Sequence, residues 1–388
     1  MAENKIILEF KNITTIALLV ILAISLAFEL QVTFSTPISF GDEGYFTRIS
    51  QYIAENKDLP ALVPVIGNDY TGRPTLTGRP ILWNLVQSSF FFVLGFNDWI
   101  TRFLTPFITM MTGLVTFVLI KKLFNDKIAF ISAVVLVTIP SVVTHAVLFT
   151  VDALLMFYFV LTVLFFVYGT QTGNKKYVWL SGLFLAFSFL TKNSAVGLYV
   201  FFFVAFLYEL IANRNFKETF TRYATVIAIS LIFQGGNLLN SFYYFGTPSC
   251  TLPYISLIFD TSKCGTPRPQ EVYQFDIPTQ QSGGDQSIYR MGLTNFLEFA
   301  YGNIWLVPLG LFAGIMTSFL TKDRTITLLL IMVMTIIPFF HYSSPRAEDG
   351  ARYLLGWAPF VAIFVAVYFA KIYEFLKSHQ KHIALIVF

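Results

Sequence analysis

The first long polar interruption of this apolar sequence begins with Phe40-Gly41-Asp42-Glu43-Gly44-Tyr45-Phe46 and extends to about Trp99. Its two adjacent carboxylates follow directly after an apolar run of helix length. It also contains two basic turns, Thr71-Gly72-Arg73-Pro74 and Thr77-Gly78-Arg79-Pro80. Acidic and basic groups fixed at a membrane surface favour a site for a charged, lipid-borne substrate. We therefore expect this loop to carry the chemistry and the other helices to support it.

The composition indicates a membrane protein. Hydrophobic residues make up 55% of the chain and charged residues 12%, and the mean hydropathy is +0.66. Soluble domains have roughly 25% charged residues, and the apolar runs here are long enough to cross a bilayer. The net charge of +4 does not indicate nucleic-acid binding, because membrane topology explains the basic residues. The first apolar run lacks a small-residue cleavage site and is predicted to be a retained helix.

The hydropathy pattern predicts an all-α polytopic protein with one transmembrane domain over residues 1–388. The ten expected spans lie near 13–34, 99–120, 128–144, 152–169, 177–191, 194–211, 223–241, 303–320, 325–340 and 353–371. The short segments on one side hold most of the Lys and Arg, which places the N-terminus in the cytoplasm. We expect an integral plasma-membrane protein with two large exoplasmic loops, a catalytic loop at 35–98 and a second loop at 242–302. The apolar end 383–388 resembles the start of a further helix or an interfacial tail.

The catalytic loop is predicted to contain two interfacial helices. A helix over 81–94 would span roughly 21 Å, short of the ~30 Å hydrocarbon core. It has a polar stripe of Asn84, Gln87 and Ser88, opposite Leu82, Leu85, Val86 and Phe92. An earlier helix presents Tyr45, Ile49, Tyr52, Ile53 and Asn56 on one face and turns Arg48, Gln51 and Glu55 away. Two such helices beside a carboxylate pair would form a platform at the level of a lipid headgroup.

Three acidic positions are candidates for chemistry. Asp42 lies where the cap of a helix starting near Tyr45 would be, and the helix dipole there favours the ionised carboxylate that a general base needs. The alternative is that Asp42 only caps the helix and that Glu43 is a solvated first-turn acid. Asp152, at the start of an apolar helix, is explained equally well by function and by capping. Glu29, inside the first helix, has the same two explanations, and a buried structural partner is favoured.

The candidate cations suit a phosphate. A helix starting at Pro80 would direct its free N–H groups towards the same point as the Arg79 guanidinium, and anions bind well at such helix ends. Non-specific contact with acidic headgroups is the alternative for Arg79. Lys192 is a lone cation in a short exoplasmic turn, and Arg346 and Arg352 flank the last exoplasmic loop. Each of these three could simply pair with a nearby charge.

The two cysteines of the chain, Cys250 and Cys264, both fall in the second exoplasmic loop. Oxidation would close a loop of about fifteen residues, a stabilisation of roughly 3 kcal/mol. Because no His lies nearby, a disulfide is favoured over a metal site. The sequence contains no Walker loop, no Gly-x-Gly-x-x-Gly and no Gly-x-Ser-x-Gly element, so nucleotide-driven chemistry and serine hydrolysis have no support.

Together these elements resemble the GT-C glycosyltransferases, in particular the branch of lipid A aminoarabinose transferases and dolichyl-phosphate-mannose–protein mannosyltransferases. The stretch Asp42-Glu43-x-Tyr45 is similar to the acidic motif after helix one of that branch, and Arg79-Pro80-Ile81-Leu82-Trp83 to its Lys-Pro-Pro-Leu element. Later elements are similar too. Residues 95–103 resemble the start of the second helix of that branch, and Asp152-Ala153-Leu154 resembles its second acidic element. Leu190-Thr191-Lys192 resembles its Leu-Thr-Lys turn, and Arg352-Tyr353-Leu354-Leu355 resembles its late Arg-Tyr stretch. The similarity covers nearly the whole chain, and the order of these elements is more specific than any single one of them.

The resemblance implies a GT-C-like bundle that transfers a hexosyl or pentosyl group from a polyprenyl-phosphate donor on the exoplasmic side. The acceptor would be a hydroxyl of a protein, lipid or glycan. Asp42, with Glu43 beside it, would be catalytic. Arg79, Lys192 and Arg352 would bind the donor phosphate, and Tyr45, Arg48, Asp152 and Arg346 would position substrates. No metal or other cofactor is expected, because the donor is already activated. Two positions depart from the family pattern, Arg79 in place of Lys and Asn193 in place of Gly.

Two other classes of protein remain open. A secondary transporter would also have many helices and a few intramembrane acids. It should, however, show repeated halves with broken helices near the midplane, and no such repeat is found. A non-catalytic lipid-binding or scaffold protein could keep the same fold. Within the enzyme class, a metal-dependent oligosaccharyltransferase is a variant of the first hypothesis.

Overall fold

A computed structural model describes residues 13–35, 42–57, 81–148, 151–213, 215–245, 306–321, 323–335 and 354–378. Within these ranges the chain forms helices and short connections, and no strand is present. The α-helices are α1 (Ile13–Ser35), α2 (Asp42–Asn56), α3 (Leu82–Leu94), α4 (Asp98–Leu123), α5 (Asp126–Thr138), α6 (Pro140–Val147), α7 (Asp152–Thr172), α8 (Lys175–Thr191), α9 (Val196–Asn213), α10 (Phe216–Phe245), α11 (Leu306–Thr321), α12 (Arg324–Met334) and α13 (Ala358–Ser378). Single 3₁₀ turns lie at Asn193–Ala195 and Leu355–Trp357. The predicted all-α class is confirmed.

Several of these helices can cross a membrane. In the described part of the chain, α1, α4, α7 and the segment Leu355–Glu374 are each long and apolar enough to do so alone. The consecutive helices α5 and α6 make a fifth candidate if they are counted as one bent span. The protein is therefore an integral membrane protein, whereas the number of ten spans stays a prediction.

The predicted span 128–144 is broken in the middle. Its two parts, α5 and α6, meet at Ile139 with a bend of 57°. Pro140 has no N–H to donate to the carbonyl of Leu136, and its ring would clash with that carbonyl in a continuous helix. Proline at the first position of a helix is instead favourable, so α6 starts there. The expectation of one straight helix is wrong at this point.

A large aromatic core holds the bundle together around α7. The ring of Phe159 lies edge-on to the fully buried Trp357 at 5.3 Å between ring centroids. Gly356 permits this approach, because a Cβ atom there would lie 2.8 Å from the Phe159 ring. Further along α7, Phe166 packs edge-on against Phe202 at 5.0 Å. These contacts make α7 the helix against which the others are placed.

A smaller apolar cluster attaches α2 and α3 to one end of this bundle. Phe46 of α2 and Trp83 of α3 pack with Leu104 and Ile108 of α4 and with Val151, Ala153 and Leu154 at the start of α7. The platform predicted from the catalytic loop is therefore placed over the first turns of α4 and α7.

The opposite end of the bundle collects the turns that the charge pattern assigns to one side. The Lys127 ammonium lies 5.1 Å from the ring of Tyr373, and the Lys122 ammonium lies 5.6 Å from the ring of Tyr168. The Gln171 amide donates to the Thr325 hydroxyl at 2.6 Å. The turns after α4 and α7 thus lie beside the start of α12 and the end of α13. Which end faces the cytoplasm stays a prediction.

Candidate active site

The acidic pair Asp42-Glu43 stands in the first turn of α2. The helix begins at Asp42 itself, three residues earlier than the expected start near Tyr45, so Asp42 is a first-turn residue and not the cap before it. Acidic residues are favoured there because the N-terminal end of the helix dipole is positive. One turn later Phe46 and Ile49 are buried, with 4% and 1% of their surface exposed. Arg48 is exposed, as the predicted face of this helix requires.

A buried amide joins the first turns of α2 and α3. The fully buried Asn84 donates from Nδ2 to the Phe46 carbonyl at 2.9 Å and to the Ser50 hydroxyl at 3.1 Å. Ser50 in turn donates to the same carbonyl at 2.8 Å. Because Phe46 lies one turn after Asp42 and Asn84 lies in the first turn of α3, these bonds fix the start of one helix against the start of the other.

The polar stripe of α3 faces protein. Gln87 is buried and its Nε2 lies 3.3 Å from the Thr101 hydroxyl of α4, while Ser88 is also buried. The exposed face is apolar, with Phe92, Val93 and Leu94 at 63%, 76% and 55% exposure. This orientation suits a helix in contact with lipid, since polar groups there must find partners inside the protein. The side-chain oxygens of Asn84, Gln87 and Thr105 have no hydrogen-bond partner among the described residues, which is typical of positions that hold buried water.

Asp152 and Lys192 form an ion pair at the same end. The Lys192 ammonium lies 2.5 Å from Asp152 Oδ1, with the carboxylate side chain 1% exposed and the lysine side chain 16% exposed. Asp152 opens α7, and Lys192 directly follows α8, where its N–H donates to the Ser188 carbonyl at 3.0 Å. Helices α7 and α8 are antiparallel neighbours, so the start of one meets the end of the other. Val151 and Ala153 beside the pair belong to the cluster under α2 and α3.

A second cation, which the sequence reasoning did not select, stands near the platform. Arg102 of α4 donates from Nη1 to the Thr33 carbonyl near the end of α1. Its sequence context, a cation in the first turns of an apolar spanning helix, could have revealed it. On α1, Glu29 is 1% exposed and accepts from the Ser25 hydroxyl at 3.1 Å through Oε1, while its buried Oε2 has no hydrogen-bond partner among the described residues.

Several predicted site residues, or their side chains, lie outside the described part of the chain. The backbones of Asp42, Glu43 and Tyr45 belong to α2, but the positions of their side chains are not described. The remaining predicted residues lie outside the described ranges: Arg79, Arg346, Arg352, Cys250 and Cys264. The catalytic pair, the three phosphate-binding cations including Lys192, and the disulfide therefore stay predictions. The described residues include no group of three or more His, Cys, Asp or Glu side chains placed to hold a metal.

Residues 78–234 match the family model described as dolichyl-phosphate-mannose-protein mannosyltransferase. This range runs from just before α3 into α10 and includes Asp152 and Lys192. The crystal structure of ArnT from Cupriavidus metallidurans in the apo state aligns with 92% of this chain at a TM-score of 0.64 and 17% identity. The chain has the GT-C glycosyltransferase fold. The resemblance predicted from the sequence is thus confirmed at the level of the fold.

Other solved GT-C structures align as well. The same ArnT bound to undecaprenyl phosphate covers 95% of the chain at a TM-score of 0.62 and 16% identity. The oligosaccharyltransferase AglB from Archaeoglobus fulgidus, in complex with an inhibitory peptide and a dolichol-phosphate, covers 98% at 0.62 and 13% identity. The chain spans 60% of the length of ArnT and 52% of that of AglB. None of the curated proteins matches the chain by sequence at a significant level.

Proposed function

We propose that this GT-C protein transfers a sugar from a polyprenyl-phosphate donor to an acceptor hydroxyl by one inverting displacement. The observation that carries the proposal is the Asp152–Lys192 pair, which lies at the same end of the bundle as the joined first turns of α2 and α3. An acidic helix start and a positioned cation near one another suit the two ends of such a displacement. The undecaprenyl phosphate bound to ArnT and the dolichol-phosphate bound to AglB support a lipid phosphate as the leaving group.

In the proposed reaction the acceptor hydroxyl gives its proton to the Asp42 carboxylate as its oxygen attacks the anomeric carbon. The bond between that carbon and the phosphate oxygen breaks, and the lipid phosphate departs with the electron pair. A positioned base contributes typically 10²–10⁴ in rate. Fixed cations near the departing oxygen add an electrostatic contribution of comparable or larger size. Arg79 and Arg352 are proposed to join Lys192 in that role.

Asp152 is proposed to be a positioning residue that acts through Lys192. Its carboxylate is almost fully buried and holds the ammonium from one side, while the lysine side chain keeps 16% of its surface exposed. An ammonium has three N–H donors, so a contact with a carboxylate is compatible with a contact to a phosphate oxygen. Glu43 and Tyr45 in the first turn of α2, together with Arg48 and Arg346, are proposed to orient the sugar and the acceptor. We propose also that the protein lies in the plasma membrane and that the site faces its exoplasmic side.

The direct test is Asp42→Asn in purified protein reconstituted with a panel of polyprenyl-phosphate sugars and candidate acceptors. We expect turnover to fall about 10²–10⁴-fold. Asp98→Asn is a matched control, because Asp98 is an exposed first-turn acid of α4, and its turnover should not change. Near wild-type turnover by the Asp42 variant would show that another group is the base. No turnover of any donor by the wild-type protein would contradict the proposed function itself.

A further inference from the structure

A cleft of about 580 Å³ opens at the end of the bundle opposite the Asp152–Lys192 pair. It lies between the turn that joins α7 to α8 and the first turns of α10. Its charged lining consists of three cations, Lys175, Lys217 and Arg222, and one carboxylate, Glu218. Because α8 begins at Lys175 and ends at Thr191, its length of roughly 25 Å separates this cleft from Lys192.

The arrangement of charge in the cleft favours an anion. Both α8 and α10 begin at its wall, and the N-terminal end of a helix attracts negative charge. Lys175 and Lys217 are exposed at its mouth. Arg222 is held rigidly at the side by Glu209 at 3.0 Å and by Glu218 at 2.7 Å. Glu209 is fully buried and also accepts from Arg324 of α12, so the guanidinium of Arg222 is fixed by carboxylates of α9 and α10, and the first of these is itself held by α12.

The surroundings of the cleft place it at the surface of a membrane. Trp179, which lines it, is 60% exposed, and Phe216 and Phe220 at the start of α10 are 62% and 52% exposed. The rings of Phe216 and Phe220 stack at 5.6 Å. Exposed aromatic residues at the end of spanning helices are typical of the boundary between headgroups and hydrocarbon. Phe216 and Phe220 do not line the cleft and only mark this boundary, whereas a ligand that carries both a phosphate and acyl chains would satisfy the cations and the exposed ring of Trp179 together.

We propose that this cleft binds the headgroup phosphate of an acidic phospholipid. The phosphate lies between Lys175 and Lys217 at the start of α8 and α10, and the acyl chains run along the exposed ring of Trp179, which lines the cleft. This site is separate from the proposed donor site and does not depend on the glycosyltransferase activity. Each Lys or Arg near a membrane surface contributes roughly 1 kcal/mol to the binding of anionic lipid.

The test compares two double variants of the full chain in phosphatidylcholine nanodiscs that contain a small fraction of phosphatidylglycerol. Lys175→Gln with Lys217→Gln removes two charges at the cleft. Lys371→Gln with Lys377→Gln removes two exposed charges of α13 and serves as the control. We expect phosphatidylglycerol retention, measured by native mass spectrometry, to weaken about tenfold to thirtyfold in the cleft variant. The control should weaken clearly less than the cleft variant, because Lys371 and Lys377 do not line the cleft.

Two further arms make the result decisive. Equal weakening in both double variants would show only a general attraction to acidic lipid and would overturn the site. Displacement of phosphatidylglycerol by an equal concentration of inorganic phosphate would show that the ligand is a soluble phosphate and would overturn the lipid assignment. Both variants should unfold at the wild-type temperature in pure phosphatidylcholine, since neither substitution touches the buried Glu209.

Discussion

Replacing Lys192 with Met tests whether the Asp152–Lys192 pair serves stability alone or also function. The substitution leaves the Asp152 carboxylate, 1% exposed, without the ammonium that lies 2.5 Å from it. Breaking a buried pair by removing one partner costs about 3–5 kcal/mol. Because the Lys192 side chain keeps 16% of its surface exposed, water screens part of the charge, and we expect the lower end, about 3 kcal/mol. That loss reduces the ratio of folded to unfolded protein roughly a hundredfold.

The informative variant is the double substitution Asp152→Leu with Lys192→Met. It removes both charges, and replacing a buried pair by apolar side chains of similar volume is often neutral for stability. We therefore expect the free energy of unfolding to return to within about 1 kcal/mol of wild type. Sugar transfer should stay at least a hundredfold reduced, because the cation proposed to hold the leaving phosphate is absent. Recovery of both stability and turnover in the double variant would refute the functional role and leave the pair as a structural contact.

The assay needs both measurements on the same preparations. The free energy of unfolding can be obtained from titration of mixed micelles with sodium dodecyl sulfate, and turnover from a polyprenyl-phosphate sugar in liposomes. Lys121→Met provides a matched control, since Lys121 pairs with Asp126 at 3.3 Å and is about as exposed as Lys192, at 18%, whereas the Asp126 side chain is 37% exposed. An exposed pair is worth 0.2–1 kcal/mol, so this variant should lose less than about 1 kcal/mol. A loss as large as that of the Lys192 variant would mean that burial does not govern these energies.

Two other predictions concern the platform and the core. Asn84→Ala removes the bonds to Phe46 and Ser50 and should cost about 1–3 kcal/mol with a rise in KM, whereas Ser89→Ala, an exposed residue bonded within its own helix, should leave stability and turnover unchanged. Gly182→Ala would place a Cβ 2.9 Å from the Val226 carbonyl and should destabilise by about 1–3 kcal/mol. In contrast, Gly235→Ala meets nothing within 4 Å and should change stability by less than about 1 kcal/mol. If Asn84→Ala and Ser89→Ala unfolded in the same transition, the contacts described for Asn84 would be contradicted. Equal transitions for Gly182→Ala and Gly235→Ala would likewise contradict the close packing of α8 against α10.

The residues of the ion pair were identified from the sequence, but the pairing was not. Asp152 and Lys192 are 40 residues apart and stood as separate candidates, each with a structural alternative. The connection between α7 and α8 is only two residues long, and short connections place consecutive helices side by side and antiparallel. The start of α7 therefore had to meet the end of α8. The pairing of Asp152 with Lys192 could therefore be inferred from the sequence, but only after α7 and α8 were recognised as antiparallel neighbours.

The polar stripe of α3 shows a limit of periodicity. The spacing of Asn84, Gln87 and Ser88 correctly predicts one polar face, but it does not tell whether that face meets water or protein. In soluble proteins the polar face of a helix is exposed and the apolar face is buried. In lipid this arrangement is reversed, because an unpartnered polar group costs more in hydrocarbon than at a protein interface. The platform therefore turns its amides inward, and only the neighbouring α2 and α4 determine where they point.

Long-range ionic contacts could not be predicted from the sequence, for a different reason. Glu209 was not among the candidates, although it is fully buried and joins Arg222 and Arg324. The two arginines were interpreted only as topological charges. Arg324 is 115 residues from Glu209, and no local pattern connects helices at that distance. The break at Pro140, by contrast, follows from a property of that single residue and could have been predicted.

The two ends of α8 show how one helix can serve two kinds of site. Lys192 directly follows its C-terminus, where the helix dipole is negative and a cation is favourable, and the buried Asp152 adds to this. Lys175 and Lys176 stand in its first turn, where the dipole is positive and cations are unfavourable by a few tenths of a kcal/mol or more. A negatively charged ligand at that end would remove the penalty. If the cleft binds an acidic lipid, adding phosphatidylglycerol should therefore stabilise the wild-type protein more than the variant with Lys175→Gln and Lys217→Gln. If the lysines serve topology alone, the lipid should stabilise both proteins equally.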